Sequence, residues 1–554
     1  MRATAPCRVG PTTRRCLAGA GMVLLLGATA ALTAQQAPPA LVTSADILAG
    51  LPADGSRWLT FGGNYTNQRH SPLTQLTPAN VSRLVPQWTF QTATLGNFEA
   101  TPILRDNVLY VTGPQNVAWA IDARSGRQIW RYRRELPPNL TACCGLVNRG
   151  FGVLGDKLFM TTLDAHLLAL DMKTGAIVWD ATLEDYKIGY ASTIAPLVVK
   201  DKVIVGVAGG EFGIRGFIDA YDTQTGKRAW RFYTIPGPGE PGNNTWGRDS
   251  WKIGGAGVWA TGAYDPDQNL VFYGTGNPGP DYHGDSREGD NLYSTSMVAL
   301  DADTGKIRWH YQFTPHDVHD WDSTEVPILA DITVAGQPRK VLMFANRNGF
   351  YYTLDRTTGK VIVAKPFVET NWAKEVDANG RPILIPGHEP DEKGSLTCPD
   401  ITGGTNFWPP TYDPSTQTFF VNAREVCATF YAWRPEYVAG DRYTGGAAQR
   451  ASAVDFPAYG ALRAIDPATG ARKWEFRYLN PSTAGLLTTA SGLIFTGDSD
   501  GNVLALDSRS GKLLWRYQMG APLHGASATT YMLDGRQHLL VPAGTTLTAW
   551  ALPS

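Results

Sequence analysis

Four short segments of this 554-residue chain hold the side chains best equipped for chemistry. In ACCGLVNRG, Cys143 and Cys144 are adjacent. Joined, they close a small ring with a distorted peptide, whose flat face can cover an aromatic plane; unjoined, they are two unrelated thiols. In AGGEFGIRG, Glu211 supplies a carboxylate, and in GTGNPGP, Asn277 supplies an amide oxygen. Oxygen-only ligands suit a hard cation such as calcium. Each also has a structural reading: glycine-rich turns often hold Asn, and Glu211 is close enough in sequence to pair with Arg215. The fourth segment, TPHDVHDWDSTEVP, carries Asp317, Asp320 and Asp322. A carboxylate beside a metal is kept ionised by that charge, which suits a general base. His319 in the same segment reads as packing, because imidazole is out of place in an oxygen-rich site for a hard ion.

A repeat supplies the elements that must position these segments. The pattern apolar-x-Asp-x-x-Thr/Ser-Gly, usually followed by an aromatic, occurs seven times, from AIDARSGRQIW at Ala120 to ALDSRSGKLLW at Ala505. It describes a β-hairpin: a strand runs into Asp, whose side chain bonds the turn, Gly takes the positive-φ position, and a second strand follows. Spacings between motif glycines are 49, 51, 79, 54, 111 and 41 residues. The short ones suit a four-stranded propeller blade, and the long ones carry insertions able to form a lid. An eighth unit comes from the ends: the C-terminal HLLVPAGTTLTAWAL lacks the hairpin motif, and LVPQWTF around Trp88 resembles an outer strand without partners. Joining them removes exposed sheet edges. The expected fold is therefore all-β, an eight-bladed β-propeller with inserted loops, with seven blades as the alternative. The 59 glycines and 17 tryptophans agree with many short strands and periodic aromatics.

Residues 1–36 are expected to be a removed signal peptide, and 37–554 one propeller domain closed by its terminal strands. Arg2, Arg8, Arg14 and Arg15 precede an apolar stretch from Leu17 to about Ala34. A single membrane anchor is the alternative, and no later apolar run is long enough to span a bilayer. A net charge of −1 without a basic patch argues against nucleic acid. Four cysteines follow the leader, an even number that permits disulfides in an exported protein. No Cys-x-x-Cys-His occurs, so any electron carrier is expected to be a separate protein.

From about Trp58 to the C-terminus, the repeats and the segments between them resemble the PQQ-dependent alcohol dehydrogenases, the quinoprotein methanol and ethanol dehydrogenases. The resemblance implies pyrroloquinoline quinone (PQQ) beside a metal ion on a propeller axis. It further implies that a Cys143–Cys144 disulfide covers one face of the quinone and Trp259, in GGAGVWATGAYD, the other. Arg149 matches the carboxylate-binding arginine, whose planar fork suits that role. Glu99, Thr193, Gly209, Gly210 and Asn406 match further cofactor contacts. Arg347, in NRNGFYY, matches the basic residue near the quinone oxygens. Glu211, Asn277 and Asp320 match metal ligands, and Asp320 also the catalytic base, with Asp317 the weaker candidate. Asp322 stands where the lanthanide-dependent members carry an extra aspartate, so the metal is expected to be a lanthanide or calcium. Some members also have a disulfide matching Cys398 and Cys427.

Two departures stand out. Ala208 replaces a common serine, and Thr483 replaces a tryptophan beside the cofactor, which implies a roomier pocket. The expected activity is periplasmic oxidation of a primary or other small alcohol to the aldehyde by hydride transfer to PQQ. Electrons are expected to pass to a soluble cytochrome c or similar acceptor. A homodimer and no integral membrane domain complete the expectations. The alternatives are a PQQ-dependent sugar or polyol dehydrogenase and a non-catalytic envelope scaffold.

Overall fold

In the computed structural model of the protein, the described residues are 41–452, 456 and 458–553. The expected signal peptide lies outside them. Apart from one six-residue helix, Ser44–Ala49, and short 3-10 turns, the regular structure is strand. Among the described residues no helix is long and apolar enough to cross a membrane.

Eight sheets of four or more strands follow one another along the chain, spanning 103–133, 152–182, 197–233, 263–312, 328–366, 411–478, 487–518 and 529–551. They are numbered first to eighth below. Each is an antiparallel meander; the seventh gains a short parallel strand, His70–Ser71. The eighth takes three strands from the C-terminus and its outermost from the N-terminus, Val85–Gln91 pairing with Thr546–Ala551. Inner strands such as Leu270–Gly274 are buried on both faces, whereas outer strands such as Gln128–Arg133 are mostly exposed. That difference is what sheets stacked face to face require.

The repeat explains both the turn and the stacking. In the second sheet, Asp171 Oδ1 accepts the backbone N–H of Lys173 at 3.1 Å and of Thr174 at 2.8 Å, and Gly175 follows at φ +72°. In six of the eight sheets the tryptophan of the outer strand lies on the motif glycine of the next: Trp88 on Gly126, Trp130 on Gly175, Trp179 on Gly226, Trp230 on Gly305, Trp309 on Gly359 and Trp474 on Gly511. Each indole N–H also donates to a backbone carbonyl beside that hairpin, as Trp130 does to Met172 at 2.9 Å. The copy ending in Val363 lacks the tryptophan, and there Val363 and Lys365 meet Gly470. Two further small sheets, one of three strands and one of two, lie in the insertion between the fifth and sixth motif copies.

This joint predicts a measurable stability effect. At Gly175 an added Cβ would lie 2.7 Å from Trp130, and φ is already +72°. Gly175→Ala is expected to cost about 2–4 kcal/mol, combining left-handed strain with overpacking. Gly239 has φ +83° but nothing within 4 Å, so Gly239→Ala should cost only the backbone part, about 1–2 kcal/mol. Denaturant titration of the pair separates the two contributions, and equal losses would mean that the indole contact contributes nothing.

Candidate active site

In a four-stranded meander, the entry to the first strand and the link between the second and third lie at the same end. The segments singled out in the sequence fall on these two kinds of connection. Glu99, the Cys143–Cys144 pair, Arg149, Thr193, Trp259, Asp320, Asp322 and Asn406 precede the first strands of their sheets. Gly209, Gly210, Glu211, Asn277 and Arg347 lie between second and third strands. The insertion obeys the same rule: Ala428–Ala432 and Gly446–Arg450 sit in the second-to-third link of the sixth sheet. All fourteen residues line one cavity of about 500 Å³.

One part of the wall is built around Arg149. Its Nη2 pairs with Glu99 Oε2 at 3.0 Å, and its Nη1 donates to Thr193 Oγ1 at 2.6 Å. Its guanidinium lies 4.7 Å from the centre of the Trp259 ring and 4.4 Å from that of Phe407. Arg149 Nε is buried without a hydrogen-bond partner. Burial pushes the Glu99 carboxyl up against the opposing pull of Arg149. Cys143 and Cys144 are joined in a disulfide, as are Cys398 and Cys427. The latter ties the approach to the sixth sheet to its inserted second-to-third link.

The acidic part centres on Asp322. Its Oδ1 accepts the Asn277 backbone N–H at 2.7 Å, and its Oδ2 accepts the Trp259 indole N–H at 3.1 Å and pairs with Arg347 Nη2 at 3.1 Å. Arg347 Nη1 donates to the Asp320 carbonyl at 2.8 Å, and Nη2 donates to Asn406 Oδ1 at 3.4 Å. Asp281, unforeseen from the sequence, accepts from Asn277 Nδ2 at 3.0 Å. Burial, then the Asp322 charge, pushes the Glu211 carboxyl up. Asp281 is pushed well up by burial and then by Glu211, and Asp320 by burial and then by Asp281 and Asp322. A multivalent cation would relieve mutual repulsion of this kind, and the donor chemistry, carboxylates with one amide, suits a hard one. The carboxylates are not gathered at one point, however. Among the described residues, the close grouping of ligating atoms is Cys143, Cys144 and Glu211, within 4.8 Å of one another. Disulfide sulfurs carry no thiolate charge, so that trio offers no metal site.

The other sequence readings can now be placed. Asp317 does not line the cavity; its carboxylate accepts the backbone N–H groups of His319 at 3.3 Å and Trp321 at 3.0 Å. Burial pushes it up to about 6. His319 stacks on Trp321 at 4.2 Å and bonds the His388 carbonyl, a packing role. Arg215 pairs with Glu240 rather than Glu211. Sequence reasoning missed Asp281, Tyr282, Arg442, Phe407 and His524, all on the cavity wall. Asp281 had a legible signal, standing four residues after Asn277 in a glycine-proline turn. Arg442 had none, because it arrives from within the insertion.

With this geometry in view, the comparisons with known proteins are informative. Residues 58–382 match the family model described as glucose/ethanol/alcohol dehydrogenase, beta-propeller domain. Residues 458–551 match a model described as outer membrane protein assembly factor BamB. The quinohemoprotein alcohol dehydrogenase ADH IIB of Pseudomonas putida is 40% identical over 88% of this chain and 74% of its own length. The lanthanide-dependent methanol dehydrogenase of Methylacidiphilum fumariolicum is 38% identical over 91% of this chain and 87% of its own. A europium-containing methanol dehydrogenase structure superposes with a TM-score of 0.87 at 34% identity, covering 92% of this chain and all of that one.

Proposed function

Because this chain belongs to the glucose/ethanol/alcohol dehydrogenase β-propeller family, we propose that it is a periplasmic quinoprotein that oxidises a small alcohol to the aldehyde. The eight consecutive sheets and their terminal closure support reading it as an eight-bladed ring. One observation carries the proposal: residues drawn from six sheets and their connections, chosen for a quinone-and-metal site, line a single cavity.

PQQ, when bound, supplies the electrophilic two-electron acceptor and the metal ion a Lewis acid that draws electron density from its carbonyl. The residues present fit both groups. Arg149, with an unsatisfied buried Nε, meets the need of a carboxylated ligand for charge-assisted hydrogen bonds. Thr193, Glu99, Gly209, Gly210 and Asn406 complete that cradle, and Trp259 and the Cys143–Cys144 ring supply apolar faces for a planar group. Glu211, Asn277, Asp320 and Asp322 would hold the ion, a lanthanide or calcium. Asp320 takes the proton of the alcohol hydroxyl. Arg347, anchored on the Asp320 carbonyl and on Asp322, places positive charge where charge develops as the alcohol is oxidised. Electrons leave to a separate cytochrome c or similar acceptor.

A polyol is the second reading, favoured by the hydroxyl and cationic groups of Tyr282, Thr402, Thr444 and Arg442 on the cavity wall. Apo-protein reconstituted with PQQ plus calcium, and in parallel with lanthanum, is expected to reduce a dye with ethanol and to absorb as a quinone. A greater rate with glycerol or glucose than with ethanol would select the polyol reading. No turnover and no bound quinone with either ion would overturn the enzyme assignment in favour of a scaffold.

A further inference from the structure

Beside Glu99, the cavity wall is completed by His524, from the segment entering the eighth sheet. Gly525 follows it at φ +69°, and its backbone N–H donates to the Thr483 carbonyl at 2.8 Å. A Cβ on Gly525 would lie 2.5 Å from the Phe407 ring and 3.0 Å from Glu99 Cγ. Glycine therefore lets this segment press against the Arg149–Glu99 pair. Thr483 Oγ1 donates to the Leu523 carbonyl at 3.4 Å, which leaves its lone pairs for His524 Nδ1 at 3.2 Å. Nδ1 then carries the hydrogen of the neutral ring, and Nε2 faces Glu99 Oε1 at 3.7 Å, too far for a hydrogen bond. The titratable and charged groups that face the imidazole are Glu99 and Arg149, with the edge of Phe407 at 6.4 Å between ring centres.

The charge balance of the wall gives this arrangement a purpose. Its arginines are Arg149, Arg347 and Arg442, against the carboxylates of Glu99, Glu211, Asp281, Asp320 and Asp322. Adding a tricarboxylate and a di- or trivalent ion does not reverse the negative excess. Arg149, the arginine that faces His524, is already paired with Glu99 at 3.0 Å. We propose that His524, oriented by Thr483, is a further binding residue for a carboxylate of the quinone cofactor and takes up a proton from solvent when the cofactor binds. This rests on the PQQ reading above. In the free site, burial and then Arg149 hold the imidazole below its usual pKa, so the ring is neutral near pH 7. A carboxylate against Nε2 favours the charged ring and raises that pKa. Affinity gained this way is fully present below the free-site pKa and is lost as pH rises through the raised pKa of the complex. The same pair accounts for the departure at Thr483: the hydroxyl left in place of a bulky ring is the group that aims the imidazole.

PQQ binding to the full-length apo-protein with calcium present, followed by calorimetry in buffers of different ionisation heat, tests this. The wild type is expected to take up protons on binding. His524→Leu is expected to take up about one fewer and to bind PQQ about tenfold or more weakly near pH 6. The fall in affinity with rising pH should flatten in that variant. Thr483→Val keeps the ring and removes its anchor, so it should shift both readouts the same way by less. Equal affinity and equal proton uptake in the wild type and both variants, with unfolding midpoints unchanged, would overturn the proposal. A wild type that binds no PQQ with calcium or lanthanum would overturn the cofactor reading as well, a distinguishable result.

Discussion

Asp320→Asn protein is expected to lose roughly 10²–10⁴-fold in kcat, the range that a positioned general base contributes, while retaining the quinone absorption. Asparagine is the informative replacement because Asp320 sits at φ +59°, a conformation that Asn tolerates well. The variant keeps the shape, the backbone carbonyl held by Arg347 and an oxygen able to touch the ion, and removes only the basic charge. Burial and then the charges of Asp281 and Asp322 push the Asp320 carboxyl well up, which disfavours the ionised form that a base needs. A bound cation reverses that repulsion. Ion and base are therefore coupled, and turnover is expected to follow ion occupancy. Dye-linked turnover with parallel absorption spectra checks the result. Full turnover with bound cofactor would remove Asp320 from the chemistry. Asp317 would not inherit the role easily, since its carboxylate already accepts two backbone N–H groups and lies off the cavity wall.

Replacing Asp322 is expected to have the second largest effect. Asp322→Ala should weaken lanthanum binding by about 10–100-fold or more, with a smaller loss in calcium-supported turnover. Removing one anionic oxygen donor costs a trivalent ion more than a divalent one. The structure adds a reason beyond ligation. Asp322 is the acceptor for the Asn277 backbone and the Trp259 indole and the partner of Arg347, so it ties together a proposed metal ligand, a proposed quinone face and a proposed electrostatic catalyst. Luminescence titration with europium reports ion binding independently of turnover. An unchanged titration curve would reduce Asp322 to a strut among its neighbours, and the lanthanide reading would lose its residue-level support.

The proposed site was legible to a good degree because its parts lie in short, distinctive segments. The adjacent cysteines, the Gly-Gly-Glu turn around Glu211 and the acid-rich stretch from Asp317 to Asp322 stand out without any structure, and the family resemblance ordered them. What lay outside such segments was missed. Arg442 comes from an insertion with no repeat to index it, and His524 sits in an ordinary PLHG stretch whose meaning depends on Thr483 and Glu99. The preference for Asp320 over Asp317 came from the family resemblance, and the coordinates add only that the Asp317 carboxylate already accepts two backbone N–H groups.

By itself, the sequence determined the hairpin and its period. Asp, Thr or Ser and Gly at fixed offsets bond only their own turn, and the recurring tryptophan needs only the next copy of the same motif. These are local or nearest-neighbour interactions, and a repeating chain states them repeatedly. Tertiary structure alone decided which connections share a cavity wall. Glu99 and His524 stand at opposite ends of the chain, yet they face each other because the last sheet is completed by an N-terminal strand. Nothing in the spacing of two residues records that closure. Only the packing of the sheets turns a histidine, a threonine and a glutamate in separate connections into one wall.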